Sequence, residues 1–314
     1  MASDVKSKKI TCLAGGVGAA RLLQGLARVF PEESITIVIN TGDDVNLYGL
    51  HISPDIDIVT YTLSGIVDEA KGWGIKNDTF TCLEMLRGYG YETWFNVGDQ
   101  DLATHLYRTE RLAKGIPLCK VTAKLARLHG LQETILPMTN DKFETRVLTE
   151  KGEMHFQEYM VKRMMKDNVL GLRFEGANEA RPCDELMTAI NEASGIIICP
   201  SNPIVSIGTI LSLKGVRTAL RETRAKIVAV SPIIAGAAVK GPAEKLMRGL
   251  GLEVSALSVA SLYKDFLDTF ILDAIDKEQQ AQIETLGIKP IVTNTLMKTI
   301  EDKERLAEVA LACL

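Results

Sequence analysis

The sequence has few aromatic residues, no closely spaced cysteines or histidines, no excess of basic residues and no long apolar run. The six cysteines and four histidines are scattered, which excludes the spacing of a zinc site or redox pair and indicates reduced, mostly buried thiols. Lys and Arg number 36 against 40 Asp and Glu, and the net charge of -4 argues against a broad nucleic-acid or anionic membrane surface. No segment approaches the roughly 20 consecutive apolar residues of a membrane span.

The amino-terminal stretch is basic but runs directly into a strand and a glycine loop. It lacks the long apolar region and the small-residue cleavage site of a leader. The sequence therefore predicts a cytoplasmic protein whose partner is a small molecule. With 314 residues, 46% of them hydrophobic, the chain can bury a large core, and we expect a single α/β domain over 1–314.

The apolar segments alternate between strand and helix patterns. A strand at 10–14, a helix at 19–30 and a strand at 35–39 predict a parallel βαβ unit with a right-handed crossover. The alternation returns from Cys183 onward. We therefore predict a Rossmann-like, mostly parallel sheet with helices on both faces. The less regular stretch 72–176 is predicted to be an inserted, mainly helical cap region.

Three short polar loops follow apolar strand-like runs. They are Gly15-Gly16-Val17-Gly18, Pro200-Ser201-Asn202-Pro203 and Ser231-Pro232. Loops at the carboxyl ends of parallel strands line the ligand crevice of such a sheet. Backbone amides at a helix start can hold a phosphate, whereas a tight turn with a purely steric need for glycine is the alternative.

The glycine loop departs from two well-known nucleotide motifs. Arg21 stands where a dinucleotide-binding fingerprint has its third glycine, and Asn40 occupies the usual position of the ribose-binding acid. The lysine of a phosphate-binding P-loop is also missing. A dehydrogenase and an ATP-hydrolysing P-loop protein are both disfavoured.

Four aspartates follow the second strand. Asp43 and Asp44 close that strand, and Asp55 and Asp57 lie in the first turn of a predicted helix. We interpret Asp55 as a capping residue. Because Mg²⁺ is usually held by one or two carboxylates together with substrate phosphates, Asp43 and Asp57 are our candidates for both metal ligation and catalysis. The two tryptophans are core residues or, alternatively, a surface for an aromatic ligand.

Seven motifs, in order, resemble the 2-phospho-L-lactate transferase family of deazaflavin coenzyme F-420 biosynthesis. They span residues 13–21, 53–57, 72–74, 97–105, 155–159, 200–208 and 230–234. The resemblance implies a Rossmann-like enzyme that needs Mg²⁺, usually forms a homodimer, and joins the deazaflavin alcohol Fo to a three-carbon phosphoacid. The acid would be delivered as a guanosine diphosphate conjugate, forming a phosphodiester and releasing GMP.

Carried over to this sequence, the resemblance implies that the glycine loop holds the donor diphosphate and that Ser201, Asn202 and Pro203 lie near guanosine. It also implies contacts from Asp57 and Asn96 to Fo. Asn96, Gln100 and Asn294 depart from the family pattern, which leaves the acid open between phospholactate, phosphoenolpyruvate and phosphoglycerate. The full set of predicted substrate-binding residues is Gly15, Gly16, Gly18, Arg21, Thr41, Asp44, Asp57, Asn96, Asp99, Ser201, Asn202, Pro203, Ser206, Ser231 and Pro232.

The alternative interpretation is a regulatory binding protein that senses a nucleotide sugar and has a related glycine loop. Such a protein would be indifferent to deazaflavins and would lack the segments around Asp57 and Trp73, which this chain has.

Overall fold

The computed structural model describes residues 8–239 and 241–314. Part of the amino-terminal stretch on which the prediction of no leader rests, residues 1–7, lies outside these ranges. The strands are β1 Ile10–Ala14, β2 Ile35–Ile39, β3 Val45–Leu47, β4 Leu50–Ile52, β5 Thr134–Pro137, β6 Glu144–Thr149, β7 Gly152–His155, β8 Val169–Glu175, β9 Gly195–Ile198, β10 Lys226–Val230, β11 Ile233–Ile234, β12 Ala237–Ala238, β13 Thr269–Asp273 and β14 Lys289–Thr293.

The α-helices surround these strands. They are α1 Gly16–Val29, α2 Pro54–Leu63, α3 Thr81–Gly88, α4 Asp101–Ala113, α5 Leu118–Leu128, α6 Asp184–Glu192, α7 Ile207–Ser212, α8 Val216–Glu222, α9 Ala243–Gly249, α10 Ala256–Leu262, α11 Gln280–Thr285 and α12 Ile300–Ala312. Within the described ranges, none of them combines the length and apolarity that crossing a membrane requires.

Seven parallel strands form the central sheet, in the order β14-β13-β10-β9-β1-β2-β5. From β1 the chain moves outward to β2 and β5 on one side, and it later returns to place β9 on the other side of β1. The strand order therefore reverses between β1 and β9. In open α/β sheets the ligand crevice lies at such a switch point, outside the carboxyl ends of the strands.

Both faces of the sheet are buried, as expected of parallel strands covered by helices. Leu13 and Ile198 point into one core together with α6, α7, α8, α10 and α11. Cys12 and Ile197 point into the other, which α1, α2 and α12 cover. The predicted α/β class, with a parallel sheet and helices on both faces, is confirmed.

The stretch 72–176 contains strands as well as helices. It contains α3, α4 and α5, but β5 within it pairs with β2 as an edge strand of the central sheet. The strands β7, β6 and β8 form a separate antiparallel sheet. Along β6 buried and more exposed residues alternate, which is the pattern of a strand packed on one face only.

Candidate active site

A cavity of about 400 Å³ opens where β1, β9 and β10 end. All three predicted loops contribute to its wall, which confirms that the loops converge. Ten of the predicted site residues line the cavity: Gly15, Gly16, Gly18, Arg21, Asp43, Ser201, Asn202, Ser206, Ser231 and Pro232.

The start of α1 lies in the wall of this cavity. The N-cap residue, Gly15, has no side chain that could cap the helix, and no acidic residue lies in the first turn. The carboxylate of Asp55, from α2, accepts from the amide of Gly16. The amide of Gly15 donates to Ser201 Oγ at 3.1 Å, which ties the glycine loop to the loop after β9. The remaining N–H groups of the first turn and the positive dipole end of the helix can serve an anion at the cavity wall.

Glycine is required here by the close approach of two loops. A Cβ on Gly18 would lie 2.3 Å from the carbonyl oxygen of Pro200, and one on Gly15 would lie 2.6 Å from Ser206 Cβ. Gly16 has φ of +72°, a conformation that side-chain-bearing residues rarely adopt. The steric interpretation of the glycines is therefore correct, and the same glycines also line the cavity.

Asp43 and Asp55 form a buried acidic pair in the cavity wall. Burial raises the pKa of Asp55 to about 7, although a hydrogen bond from Asn40 Nδ2 at 2.9 Å to its Oδ2 opposes the shift. Burial, followed by the negative charges of Asp55 and Asp44, raises the pKa of Asp43 well above its usual range. Two carboxylates that burial and mutual repulsion both disfavour are short of positive charge.

Several buried polar atoms beside this pair have no hydrogen-bond partner in the part of the chain that the structure describes. They include Asp43 Oδ1, Gln157 Oε1 and Asn202 Nδ2. Asn202 Oδ1 accepts from the amides of Ile204 and Val205, so its Nδ2 is left as a donor. Because unsatisfied buried polar atoms are rare, these groups mark the cavity as a site for a polar ligand.

The chain is similar to known proteins over almost its whole length. The sequence model of the family described as 2-phospho-L-lactate transferase CofD matches residues 10–308. The chain belongs to the 2-phospho-L-lactate transferase family. It is thus an enzyme of the transferase class.

Relatives with two different names share nearly the whole chain. A 2-phospho-L-lactate transferase from Methanosarcina acetivorans is 43% identical and covers 94% of this chain and 96% of its own length. A phosphoenolpyruvate transferase from Streptomyces griseus is 40% identical and covers 96% and 97%. Similarity to both names leaves the transferred acid open.

A solved structure of a UPF0052 family member from Bacillus halodurans has a TM-score of 0.64. It covers 97% of this chain and 99% of its own, at 16% identity. That likeness supports the fold alone.

Asp57, our candidate catalytic residue and metal ligand, does not line the cavity. Its two carboxylate oxygens accept from Arg108 Nη1, at 3.0 Å, and from Arg108 Nη2. Asp55, interpreted from the sequence as a capping residue, faces the cavity instead. Residues two positions apart on a helix point to nearly opposite sides. Only one of Asp55 and Asp57 can therefore face the cavity at the end of the sheet.

Five further predicted site residues also lie outside the cavity wall. Asn96 is exposed, and Asp99 accepts from Thr79 Oγ1 and from two amides at the start of α3. Thr41, Asp44 and Pro203 are buried behind the wall. Asp44 Oδ2 accepts from Ser53 Oγ at 2.7 Å, so Asp44 connects the loop after β2 to the residue that precedes α2.

Sequence reasoning left most of the apolar side of the cavity unassigned. Trp73 lies here and is 40% exposed, as the aromatic-ligand alternative for the tryptophans requires. The other members of this side include Phe156, Met160, Val205, Ile234, Val239, Leu296 and Met297. The motif at 72–74 gave a signal for Trp73, whereas the apolar residues after β14 carry no pattern that separates them from core.

Proposed function

We propose that this enzyme joins the deazaflavin alcohol Fo to a three-carbon phosphoacid taken from a guanosine diphosphate conjugate, forming a phosphodiester and releasing GMP. The observation that carries the proposal is that the acidic pair Asp43 and Asp55 lies in the wall of the same cavity as the start of α1, with Asp55 directly beside the glycine loop. Family membership and the names of the relatives support the reaction class.

The donor diphosphate would lie on the amides of Val17 and Gly18, at the start of α1 in the cavity wall. The unpartnered Nδ2 of Asn202 would donate to the same nucleotide. This arrangement uses backbone dipoles that are already fixed by the packing of the loops, so little reorganisation is needed when the charged donor binds. The loop after β9 would thereby hold the nucleotide end.

The deazaflavin ring would pack on the apolar side of the cavity, against Trp73. Offset or edge-on contact with an aromatic side chain stabilises a flat heterocycle. The ring of Trp73 is itself held at 6.3 Å from Phe80, with Lys71 Nζ 5.7 Å from the Trp73 ring centre. The contacts with Phe80 and Lys71 therefore fix the orientation of Trp73, the proposed surface for Fo.

Asp43 and Asp55 are suitable ligands for Mg²⁺. Hard oxygen donors, an unpartnered carboxylate oxygen and raised pKa values all fit a divalent cation that would relieve the repulsion between the two carboxylates. When bound, the ion would neutralise charge on the reacting phosphate. Asp57, which Arg108 already neutralises, does not fit this role.

The reaction itself would be an in-line displacement at phosphorus. The alcohol oxygen of Fo forms a bond to the phosphorus that carries the acid, and the bond from that phosphorus to the bridging oxygen of GMP breaks. The alcohol proton passes late to a carboxylate, for which Asp55 is the candidate because it lines the cavity beside the glycine loop that would hold the donor. Positioning and charge neutralisation account for most of the rate.

Arg21 and Lys71 are the cationic side chains among the described residues that line the cavity. Arg21 extends from α1, with Nη1 3.5 Å from the carbonyl oxygen of Met297. Either side chain could receive the carboxylate of the acid. The acid would then be selected by the small apolar space around its remaining carbons.

The test is a transfer assay with purified protein, Fo and Mg²⁺, offered the guanosine diphosphate conjugates of phospholactate, phosphoenolpyruvate and phosphoglycerate in turn. Equal amounts of GMP and a deazaflavin phosphodiester, resolved by chromatography and mass, would support the proposal. Saturable guanine-nucleotide binding without product from any donor would contradict it and favour the regulatory binding protein. Asp55→Asn and Asp99→Asn form a matched pair, because only the first residue lines the cavity.

A further inference from the structure

Helix α4 presents a row of polar residues to α2, although this row lies outside the cavity. Asp101, Thr104, His105 and Arg108 share one face of α4, at the three- and four-residue spacing of a helix. All four are buried. They belong to, or directly follow, the motif at 97–105, which the proposed chemistry does not use.

The facing side of α2 carries Asp57 and Tyr61, four residues apart. Tyr61 Oη lies 2.7 Å from Asp101 Oδ1 and 2.8 Å from Thr104 Oγ1. Arg108 holds both oxygens of Asp57, and His105 Nε2 lies 3.2 Å from Asp101 Oδ2. The two helices are therefore joined by a continuous buried polar network.

This network does not have the character of a metal site, although Asp57, Asp101 and His105 offer ligand atoms within 4.8 Å of one another. The guanidinium of Arg108 supplies the positive charge that a cation would bring. Burial alone would raise the pKa of Asp101, but its hydrogen bond and charge interaction with His105 lower that pKa. The acidic groups here are already compensated.

Arg108 is also connected to the acidic pair by two short paths. Along α2, its partner Asp57 lies two residues after Asp55. Along β4, Arg108 Nη1 lies 3.5 Å from the carbonyl oxygen of His51, and His51 Nε2 lies 2.9 Å from Oδ2 of Asp44, the residue after Asp43. Arg108 thus contacts α2 directly, and it is connected to the loop that carries Asp43 through His51 and Asp44.

We propose that Arg108 is a positioning residue that fixes the first turn of α2 and the end of β4, so that Asp55 and Asp43 converge on one cation. The inference rests on the proposed function, since it needs the cation site at the acidic pair. Arg108 acts through Asp57 and His51 and does not touch the substrates. The planar fork of arginine matters because it binds two carboxylate oxygens at once, which lysine cannot do.

The test compares Arg108→Met and Arg108→Lys with wild type and with Arg163→Met. Arg163 is a matched control because it also holds an aspartate with two bonds, both of 2.7 Å to Asp167, and does not line the cavity. Mn²⁺ affinity is measured by electron paramagnetic resonance without substrate. Hydrogen exchange is measured over residues 41–45 and 53–58, and the binding of GDP without metal is measured by calorimetry.

We expect Arg108→Met to weaken Mn²⁺ binding about tenfold to a hundredfold, as loss of groups that orient metal ligands commonly does. Arg108→Lys should weaken Mn²⁺ binding less than Arg108→Met does, and Arg163→Met should keep the wild-type Mn²⁺ affinity. Exchange over 53–58 should accelerate in both Arg108 variants, while GDP affinity stays within about twofold of wild type in all of them.

Wild-type Mn²⁺ affinity and exchange in a folded Arg108→Met would overturn the inference, and so would lower thermal stability with no change in Mn²⁺ affinity. If Arg108→Met fails to fold, Arg108→Lys decides by the same two readouts. If wild type itself binds no Mn²⁺, the proposed cation site fails and this inference fails with it. If wild type binds Mn²⁺ and Arg108→Met binds it equally well, this inference alone fails.

Discussion

The two sides of α2 hold buried acidic groups in opposite electrostatic states. On one side, Asp55 and Asp43 repel each other at the cavity wall, and Asp43 Oδ1 has no partner among the described residues. On the other side, Asp57 is held by Arg108 and Asp101 by Tyr61 and His105. Burial alone therefore does not identify a functional carboxylate in this fold. The informative feature is a buried charge that the protein leaves uncompensated.

The strongest contrast is expected in activity. Asp55→Asn should lower turnover in the transfer assay by at least about 10²-fold, because it removes a cation ligand and the proposed proton acceptor at once. The protein should stay folded, since the change removes a charge that burial disfavours. Turnover within tenfold of wild type would remove Asp55 from the proposed chemistry.

The other side of the helix should respond in stability. Arg108→Met leaves the carboxylate of Asp57 buried and unpaired, and should lower the free energy of unfolding by about 3–5 kcal/mol. Adding Asp57→Asn should restore part of that loss, because it removes the unpaired charge. Urea denaturation measures both variants. A double variant less stable than Arg108→Met would show that the charge of Asp57 is not the cause.

The pH dependence of stability separates the two clusters further. Since the pKa values of Asp43 and Asp55 are raised in the folded protein, the folded state holds more protons than the unfolded state between about pH 4 and pH 7. The pair therefore destabilises the metal-free protein as pH rises, by up to about 1.4 kcal/mol per pH unit for each carboxylate.

Denaturation of wild type in the presence of a chelator should show this loss of stability with rising pH. The double variant Asp43→Asn, Asp55→Asn should not show it. Added Mg²⁺ should restore stability to wild type at the upper end of the range, and to the double variant not at all. The same slope in both proteins would mean that the acidic pair does not titrate as described.

The smallest effect is expected for Asn202, a neutral residue in the cavity wall. Asn202→Asp keeps the oxygen that accepts from Ile204 and Val205 but replaces the unpartnered Nδ2 donor by an oxygen. GDP affinity, measured by calorimetry, should fall about tenfold, the scale of one hydrogen bond to a charged group. Asn140→Asp is the control, because Asn140 Oδ1 also accepts from a backbone amide but lies outside the cavity. Equal affinities in the two variants would place the nucleotide elsewhere.

The sequence predicted well the parts of the fold that local patterns specify. The strand β1, the glycine loop and α1 were expected from the apolar run, the glycines and the helical spacing that follow one another. The strands β13 and β14 were not predicted. All five residues of β13 are buried, so it lacks alternation and resembles any other buried apolar segment. The strand β14 is a short edge strand with one buried residue, Pro290, and it has no clear alternation either.

The candidate site was predicted at the level of loops but not of every side chain. Converging loops follow from the parallel sheet, whereas the choice between Asp55 and Asp57 depends on how α2 packs between the cavity and α4. That packing is set by Arg108, which lies 51 positions along the chain from Asp57. Periodicity within α2 carries no information about such a partner.

The most direct measurement is a Mn²⁺ titration of wild type, Asp43→Asn and Asp101→Asn, followed by electron paramagnetic resonance. Asp43→Asn removes a carboxylate from the acidic pair, and Asp101→Asn removes one from the polar network between α2 and α4. We predict that wild type and Asp101→Asn bind one Mn²⁺ ion and that Asp43→Asn loses the site. Binding that survives Asp43→Asn but disappears in Asp101→Asn would place the cation among Asp57, Asp101 and His105, and would contradict the assignment of the reaction centre to the uncompensated pair.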